Sequence, residues 1–239
     1  MKAIIIAGGL GTRLNLSNIP KPMYQINGKP ILEHNILLLK RHNIKDICIL
    51  LCHLPDVVKN YFGDGNKWNV NIQYSLEDKP LGTSGAVKNA ERFINDERFF
   101  VIYGDNYTNI DLSKMLDFHS SQNSKATIAL FNPKEVLNSG IAGSVVKMTA
   151  DNVIDSFMED KENNKEGYVN AGIYILESKI LSMIPNNVTS DFGRDIFPKL
   201  ISKGIIIKGY LMDGFVLAID TEHALTCAEK IIQRGEKIK

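Results

Sequence analysis

The first 21 residues bring together groups that could bind anionic oxygen. The segment GGLG (8–11) follows a short apolar run, and Arg13 and Lys21 come soon after it. Backbone N–H groups of a glycine-rich turn can face phosphate oxygens, and a guanidinium group adds a bidentate cationic donor. Pro20 and Pro22 restrict the backbone on both sides of Lys21, so its ammonium group sits on a stiff segment. This pattern indicates a site for two or three phosphate groups, with solvated surface charges as the alternative for Arg13 and Lys21.

Two common phosphate-binding loops do not fit this spacing. The dinucleotide fingerprint needs a third glycine that, counted from Gly9, falls on Leu14. The P-loop needs Gly-Lys followed by Ser or Thr after four intervening residues, and the sequence has no such segment. The spacing therefore disfavours a Rossmann dehydrogenase and excludes a P-loop ATPase.

Apolar runs and amphipathic stretches alternate through the first half of the chain. Their order is KAIIIA, PILEHNILLLKRHN, DICILLC, LPDVVKNYF, VNIQYS, GAVKNAERFI and RFFVIYGD. Continuous Ile, Val and Leu runs are typical of strands covered on both faces. We therefore predict an α/β fold with a doubly wound, Rossmann-like, mostly parallel sheet. Ligands of such sheets bind beyond the carboxyl ends of the strands, where the glycine-rich turn lies.

The pattern of apolar and amphipathic segments changes after about residue 125. The segments KATIALF, GSVVKMT, NVIDSFME and YVNAGIYIL crowd together with little helical sequence between them, which predicts a small antiparallel insert beside the main sheet. The segment SDFGRDIFPKLISKG then predicts a helix capped by Ser190 or Asp191 and ending just before Gly204.

Two aspartates could hold a divalent cation near the predicted phosphate site. Asp105 follows a predicted strand and Gly104, so its carboxylate should emerge at the carboxyl edge of the sheet. Mg²⁺ prefers one or two carboxylates together with phosphate oxygens and waters. Asp220, at the end of the apolar run FVLAI, is the best second ligand, and the alternative is that it caps the helix starting at Thr221.

The composition of the 239 residues excludes several classes of partner. Lys and Arg number 28 against 27 Asp and Glu, so the formal net charge is only +1. We therefore expect no nucleic-acid or membrane-surface binding. The apolar run 3–7 is too short for a signal peptide or a membrane span, which predicts a cytoplasmic protein. The three cysteines and five histidines lack the spacing of a zinc site or a hydrolase triad, and a homo-oligomer is compatible with the sequence but not indicated by it.

Five motifs in order resemble one family across nearly the whole chain. GGLGTRL with PKPM, then INGKPILEH, PLGTSGAV, YGDN and VNAGIYIL are similar to the signature of the sugar-1-phosphate nucleotidyltransferases, also called NDP-sugar pyrophosphorylases. The resemblance implies the nucleotide-diphospho-sugar transferase fold and an Mg²⁺-dependent enzyme that joins an NTP to a sugar 1-phosphate and releases pyrophosphate. It implies a single domain over residues 1–239, with a nucleotide-binding part at about 1–125 and a sugar-binding insert at about 126–176.

The resemblance also implies roles for individual residues. Arg13, Lys21 and Asp105 match catalytic positions, and Asp105 and Asp220 match metal-binding positions. Nucleotide contacts are implied for the residues Ala7, Gly8, Gly9, Leu10, Gly11, Thr12, Arg13, Lys21, Glu77, Pro80, Gly82, Thr83 and Asp105. Sugar contacts are implied for Gly143, Glu159, Asn170 and Gly172.

The base is expected to lie on the segment between the strand VNIQYS and the helix GAVKNAERFI. Gly82 allows close backbone approach there, and Thr83 or Ser84 can cap the helix. The Glu77 carboxylate could accept from both the ring N–H and the exocyclic amine of guanine, which cytosine cannot offer. A solvated loop residue is the alternative for Glu77.

Several features keep other specificities open. The motif segments taken together most resemble guanylyltransferases for mannose- or heptose-type 1-phosphates. The segment GFVLAIDT instead resembles the glucose-1-phosphate cytidylyltransferases, which make CDP-glucose. Direct alignment with other relatives would put Leu217 in place of the second metal-binding aspartate. Ala142 and Asp160 stand where relatives often have an aromatic residue and a lysine, so the cation for the sugar phosphate is not identified. A non-catalytic nucleotide-sugar sensor and an enzyme for a choline-phosphate-type acceptor are the remaining alternatives.

Overall fold

Strands and helices alternate along the first half of the chain and give way to closely spaced strands in the second. The computed structural model describes residues 1–9, 11, 19–139, 144–159, 167–219 and 221–233, without the side chain of Glu159. The strands are β1 (Lys2–Ile6), β2 (Gln25–Ile26), β3 (Lys29–Pro30), β4 (Asp46–Leu51), β5 (Asn71–Leu76), β6 (Arg98–Tyr103), β7 (Asn106–Thr108), β8 (Ala126–Phe131), β9 (Leu137–Asn138), β10 (Ser144–Met148), β11 (Ile154–Glu159), β12 (Tyr168–Glu177), β13 (Ile207–Leu211) and β14 (Phe215–Ala218).

The helices occupy the amphipathic stretches. They are α1 (Ile31–Arg41), α2 (Pro55–Phe62), α3 (Gly82–Asn89), α4 (Leu112–Ser121), α5 (Phe197–Ser202) and α6 (Glu222–Gln233). Short 3₁₀ turns include Lys21–Met23 and Glu91–Phe93, and a π-helical turn at Phe192–Ile196 runs into α5. None of the helices in the described ranges combines the length and apolar composition that a membrane span needs.

One half of the central sheet, which includes β1 and the strand that follows α1, is parallel. Strands β5, β4, β1 and β6 pair in parallel in that order, with Ile4 of β1 opposite Cys48 on one side and Val101 on the other. Strand β12 then pairs antiparallel to β6 and to β8, and β13 runs parallel to β8. Strands β10 and β11 extend the sheet from the start of β12. The predicted insert therefore shares one sheet with the first half, and its boundary at about residue 125 stays a prediction.

Both faces of this sheet are buried, which explains the uninterrupted apolar runs. Along β1, Ile4 packs with α3 and α5 on one face, whereas Ala3 and Ile5 pack with α1, α2 and α4 on the other. A strand covered on both sides gains about 1.5–3 kcal/mol from each fully buried Ile or Leu side chain. The doubly wound α/β architecture predicted from the sequence is confirmed.

Two smaller pairings shape the edge of the sheet. Asn27 and Gly28, both with positive φ, form the two-residue turn between β2 and β3, as a tight hairpin requires. Strand β14 lies between β7 and β9 in a separate three-stranded sheet. Because only two residues separate the end of β6 from the start of β7, this small sheet stands beside the carboxyl end of β6.

Candidate active site

The carboxyl ends of β1, β4 and β6 meet at one edge of the sheet. Ala7 donates its N–H to the Leu50 carbonyl of β4 at 3.0 Å, and Gly104 donates to the Ile6 carbonyl of β1 at 2.8 Å. Gly104 needs to be glycine, because a Cβ there would lie 2.9 Å from that same Ile6 oxygen. The YGDN motif is thereby packed directly against the strand that leads into the glycine-rich turn.

The glycine-rich turn combines a packed glycine and an open one. A Cβ on Gly8 would lie 3.3 Å from the Cβ of Cys52, so Gly8 rests on the end of β4. A Cβ on Gly9 would meet nothing within 4 Å, and this residue is exposed. Gly11 adopts a φ of +64° and lies beside Lys21, with 3.7 Å between its built Cβ and the Lys21 Cβ. Among the described residues of this turn, Gly9 exposes its backbone to solvent, where a ligand could bind.

An ion pair joins two of the predicted catalytic residues across 84 positions of sequence. The Lys21 Nζ donates to Asp105 Oδ2 at 2.5 Å, and the two side chains are 11% and 23% exposed. The 3₁₀ turn Lys21–Met23 fixes the backbone of Lys21, with Met23 N–H bonded to the Pro20 carbonyl at 2.8 Å. Opposite charges thus face each other at the sheet edge, beside Gly11.

The pairing of β7 with β14 brings a second chain segment to Asp105. Ala218 pairs with Asn106 in antiparallel register, so β14 ends opposite the residue that follows Asp105. Leu217, the alternative position for a metal-binding aspartate, is fully buried in an apolar cluster and has no ligating atom. Asp220 itself lies outside the described residues.

Other predicted residues also lie outside the part of the chain that the structure describes. They are Leu10, Thr12 and Arg13 of the first motif and Gly143 of the insert. The backbone of Glu159 belongs to β11, but its side chain is not described. The roles implied for these residues stay predictions.

The loop 77–83 is closed by its own glutamate. Glu77 donates its backbone N–H to the Leu51 carbonyl at the end of β4 at 2.9 Å. Its carboxylate Oε2 accepts from the Leu81 N–H at 3.0 Å. Burial raises the pKa of the Glu77 carboxyl above its ordinary value, although the hydrogen bond from Leu81 opposes this shift. One carboxylate oxygen therefore shapes the loop on which the base was predicted to lie.

The amino terminus of α3 is capped from a distant segment, residues 188–192, which we call the clamp segment. The residue before α3 is Leu81, whose side chain cannot accept a hydrogen bond. Asp191 Oδ1 accepts instead from the Thr83 N–H at 2.9 Å and the Thr83 hydroxyl at 3.1 Å. The Ser190 carbonyl accepts from the N–H groups of Ser84 at 3.0 Å and Gly85 at 3.2 Å.

This arrangement corrects two expectations from the sequence. Thr83 and Ser84 do not cap their own helix, because both side chains bond to the clamp segment: the Thr83 hydroxyl also accepts from the Phe192 N–H, and Ser84 Oγ lies 2.7 Å from Ser190 Oγ. The helical turn before α5 begins directly after Asp191, as predicted, but the Asp191 side chain caps α3 and not that turn. The close approach at Gly82 is made by protein, since a Cβ there would lie 2.4 Å from the Ser190 oxygen, and its φ is +74°.

The motif VNAG forms an irregularity in β12 beside the YGDN motif. The register of β12 against β8 shifts between Asn170 and Tyr174, and Gly172 has a φ of +71°. Asn170 stabilises this bend, with its Oδ1 accepting from Gly172 N–H at 2.9 Å and its Nδ2 donating to the Tyr174 hydroxyl at 2.8 Å. A Cβ on Gly172 would lie 2.9 Å from the Asn106 Nδ2, so the two motifs are in close contact.

Sequence reasoning missed three residues that organise the site. Asn106 is 5% exposed and donates through Nδ2 to the Ala171 carbonyl at 3.0 Å, which ties the YGDN motif to the VNAG motif. The position of Asn106 within the YGDN motif was the sequence signal that could have identified it. Ser190 and Asp191 carried no signal for their role, because a cap supplied 108 positions away leaves no local pattern.

The donor set at the sheet edge fits Mg²⁺ only together with a ligand. Within the described ranges, no group of three or more His, Cys, Asp or Glu side chains could hold a metal ion. Asp105 contributes one carboxylate, 23% exposed, at the carboxyl edge of the sheet, which suits an ion that takes its other ligands from phosphate oxygens and waters. The residues present are therefore compatible with Mg²⁺ that arrives with a phosphorylated ligand.

Comparison with known proteins places the chain among related enzymes. Residues 2–215 match the family model described as nucleotidyl transferase. The chain is 35% identical over 218 residues to D-glycero-alpha-D-manno-heptose 1-phosphate guanylyltransferase of Campylobacter jejuni, covering 89% of this chain and 94% of the relative. It is 34% identical over 230 residues to UTP–glucose-1-phosphate uridylyltransferase of Synechocystis, where the match covers 89% of this chain but only 58% of the relative.

A solved structure extends the likeness to three dimensions. HddC from Yersinia pseudotuberculosis, complexed with GMP-PN, aligns with a TM-score of 0.80 at 30% identity, over 96% of this chain and 99% of that one. The predicted nucleotide-diphospho-sugar transferase fold and the predicted family are both confirmed. The chain belongs to the nucleotidyl transferase family.

Proposed function

We propose that this protein transfers a nucleotidyl group from an NTP, with GTP favoured, to a mannose- or heptose-type sugar 1-phosphate. The products are an NDP-sugar and pyrophosphate, and the reaction requires Mg²⁺. The observation that carries this proposal is the Lys21–Asp105 pair, which sets a cation and a carboxylate 2.5 Å apart at the carboxyl edge of the sheet. Such an edge, with exposed glycine backbone beside it, suits a triphosphate and its divalent ion.

The reaction consists of one displacement at phosphorus. A phosphate oxygen of the sugar 1-phosphate forms a bond to the α-phosphorus of the NTP, and the bond from that phosphorus to the bridging oxygen breaks. Pyrophosphate leaves with the electron pair, so no covalent enzyme intermediate is needed. Positioning and charge stabilisation supply the catalysis, as in other phosphoryl transfers.

Residues of the chain have distinct tasks in this scheme. Backbone amides of the turn 8–11 face the phosphates, Lys21 holds the α-phosphate, and Arg13 neutralises the departing pyrophosphate. Lys21 must exchange its contact with Asp105 for a phosphate oxygen when the nucleotide binds. When bound, Mg²⁺ would add positive charge to the phosphate oxygens, and we assign Asp105 and Asp220 to hold it. The β7–β14 pairing supports this assignment, because it carries the strand before Asp220 alongside the residue after Asp105.

We assign the base and the sugar to different sets of residues. We assign Glu77, Pro80, Gly82 and Thr83 to the base side, and the likeness to the guanylyltransferase of Campylobacter jejuni and to HddC with GMP-PN supports guanine. Glu77 already uses Oε2 for the Leu81 N–H, so it would read guanine while keeping its loop closed. On the sugar side we assign Gly143, Glu159, Asn170 and Gly172, of which Asn170 and Gly172 shape the bend in β12.

A matrix of five NTPs against mannose, heptose and glucose 1-phosphates tests the proposal. Pyrophosphate release with Mg²⁺ present should be fastest with GTP and a mannose- or heptose-type acceptor, and absent after chelation. Faster turnover with UTP or CTP and glucose 1-phosphate would correct the specificity but keep the reaction. Nucleotide binding without pyrophosphate release for every pair would contradict the enzymatic proposal.

A further inference from the structure

The clamp segment satisfies the amides at the start of α3 that the helix cannot satisfy itself. The first N–H groups of a helix have no partner within the helix, and the preceding residue usually supplies one. Here Leu81 stands in that place, and the Thr83 N–H bonds to Asp191, while those of Ser84 and Gly85 bond to the Ser190 carbonyl. A carboxylate is the favoured group at this end of a helix, because the helix dipole is positive there.

The clamp segment also holds the loop that precedes α3. The Ser190 N–H donates to the Leu81 carbonyl at 2.9 Å, and the Thr189 hydroxyl donates to the Pro80 carbonyl at 3.4 Å. Leu81 is the same residue whose N–H bonds to Glu77. The 77–83 loop therefore takes its shape from Glu77 on one side and from the clamp segment on the other.

The Asp191 carboxylate is itself held in place by the turn that follows it. Its backbone N–H donates to Asp195 Oδ2 at 2.7 Å, and its Oδ2 forms an ion pair with Arg194. These contacts lie at or within the π-helical turn Phe192–Ile196, a rare form of helix that often occurs at functional sites. The side chain is 24% exposed, so it is partly shielded from water.

We propose that Asp191 is a positioning residue for nucleotide binding: its carboxylate holds the start of α3, and through it the 77–83 loop, in the shape that receives the nucleobase. The inference rests on the proposed function, since it takes the base to lie on this loop. Asp191 acts through Thr83 rather than by touching the ligand. It should therefore affect binding of the base but not of the phosphates.

Three variants separate this role from a general structural one. Asp191→Ala removes both bonds to Thr83, whereas Asp191→Asn keeps an oxygen that can accept them. Asp213→Ala, a control, removes an exposed carboxylate from the turn between β13 and β14. Hydrogen exchange of residues 81–85 and calorimetric binding of GTP and of inorganic pyrophosphate, both with Mg²⁺, are measured on each full-length protein.

Asp191→Ala should speed exchange at Thr83 and weaken GTP binding on the order of tenfold, as expected for one lost charge-assisted hydrogen-bond pair. Pyrophosphate binding should not change, Asp191→Asn should restore most of the GTP affinity, and Asp213→Ala should match the wild type. Equal losses for GTP and pyrophosphate, or faster exchange with unchanged GTP affinity, would overturn the inference.

The same experiment distinguishes failure of the inference from failure of the proposed function. A wild-type protein that binds no NTP overturns the proposed function and the inference with it. If the wild type binds GTP and Asp191→Ala binds it equally tightly, only the inference is overturned. If Asp191→Ala does not fold by circular dichroism, Arg194→Ala removes the ion pair that holds the Asp191 carboxylate and should give a smaller loss of the same kind, whereas unchanged GTP affinity and exchange would overturn the inference.

Discussion

The loop 77–83 and the Lys21 side of the sheet edge are built in different ways. The loop is closed by Glu77 and bound by backbone and hydroxyl hydrogen bonds to the clamp segment. On the other side, the Lys21 ammonium group and the Asp105 carboxylate face each other at 2.5 Å. Hydrogen bonds within protein shape the first region, and opposite charges shape the second.

This difference indicates which region must change when a nucleotide binds. A loop held by hydrogen bonds at Glu77, Leu81 and Thr83 needs little reorganisation, so it can present a fixed surface to a base. In the proposed reaction Lys21 turns to a phosphate and Asp105 to a cation, so the ion pair between them has to open. We infer a preformed base side and a phosphate side that rearranges.

The largest effect should come from removing the charged side chains on the phosphate side of the site. Lys21→Ala and Asp105→Ala should each lower the turnover number by about 10²–10³, the usual cost of a lost transition-state contact. Lys125→Ala is a matched control, since Lys125 forms a pair with Glu177 at 3.0 Å on the surface. Its turnover should equal that of the wild type, because exposed pairs contribute about 0–1 kcal/mol to stability and none here to chemistry. Pyrophosphate release checks all three, and near-normal rates for Lys21→Ala would refute its role.

The next effect concerns the contact between Gly82 and the clamp segment. Gly82 and Gly28 have nearly equal φ, +74° and +73°, but only a Cβ on Gly82 would meet protein, at 2.4 Å from Ser190 O. Gly28→Ala should cost about 1–2 kcal/mol of unfolding free energy from backbone strain alone. Gly82→Ala should cost a further 1–3 kcal/mol or so, because the clamp segment must move. Urea unfolding measures both, and equal costs would show that the close approach does not constrain the loop.

Glu77 tests whether the base side both shapes the loop and reads the base. Glu77→Gln keeps an oxygen for the Leu81 N–H but cannot pair with guanine as a carboxylate does, so the preference for GTP over other NTPs should fall by about 1–3 kcal/mol. Because burial raises the pKa of Glu77, its ionised form is lost at a higher pH than for an ordinary glutamate. The KM for GTP should therefore rise as pH falls through that raised pKa, and Glu77→Gln should lack this rise. A preference for CTP in the wild type would contradict the role in guanine reading.

The smallest effect should come from the hydroxyl pair between α3 and the clamp segment. Ser84 and Ser190 are buried, and their Oγ atoms lie 2.7 Å apart. Each serine-to-alanine change should cost about 1 kcal/mol, and the double variant should cost less than the sum, since either single change leaves the other hydroxyl without this partner. Additive costs in a thermal unfolding cycle would mean that the two hydroxyls are not coupled.

The sequence predicted the fold well because local patterns carried it. The continuous run KAIIIA requires burial on both faces, and β1 indeed lies between two apolar clusters. The placement of Asp105 at the carboxyl edge of the sheet followed from a rule about parallel strands rather than from any local signal, whereas its ion pair with Lys21 was not predicted.

The sequence could not predict how α3 begins. A threonine and a serine in its first turn favoured a local cap, but their hydroxyls are bonded to Asp191 and Ser190. Tertiary contact replaces the local cap, because Asp191, 108 positions from Thr83, accepts from the Thr83 N–H that a local cap would satisfy. The π-helical form of the turn at Phe192–Ile196 was not predicted either, because its sequence is typical of an ordinary helix start.

A crystal structure with a non-hydrolysable GTP analogue and Mg²⁺ tests the difference between the two regions most directly. We expect the base on the 77–83 loop with the Asp191–Thr83 bonds intact, and Lys21 withdrawn from Asp105 to a phosphate oxygen. A ligand bound elsewhere, or one bound here with the Lys21–Asp105 pair unbroken and the clamp segment displaced, would contradict this account.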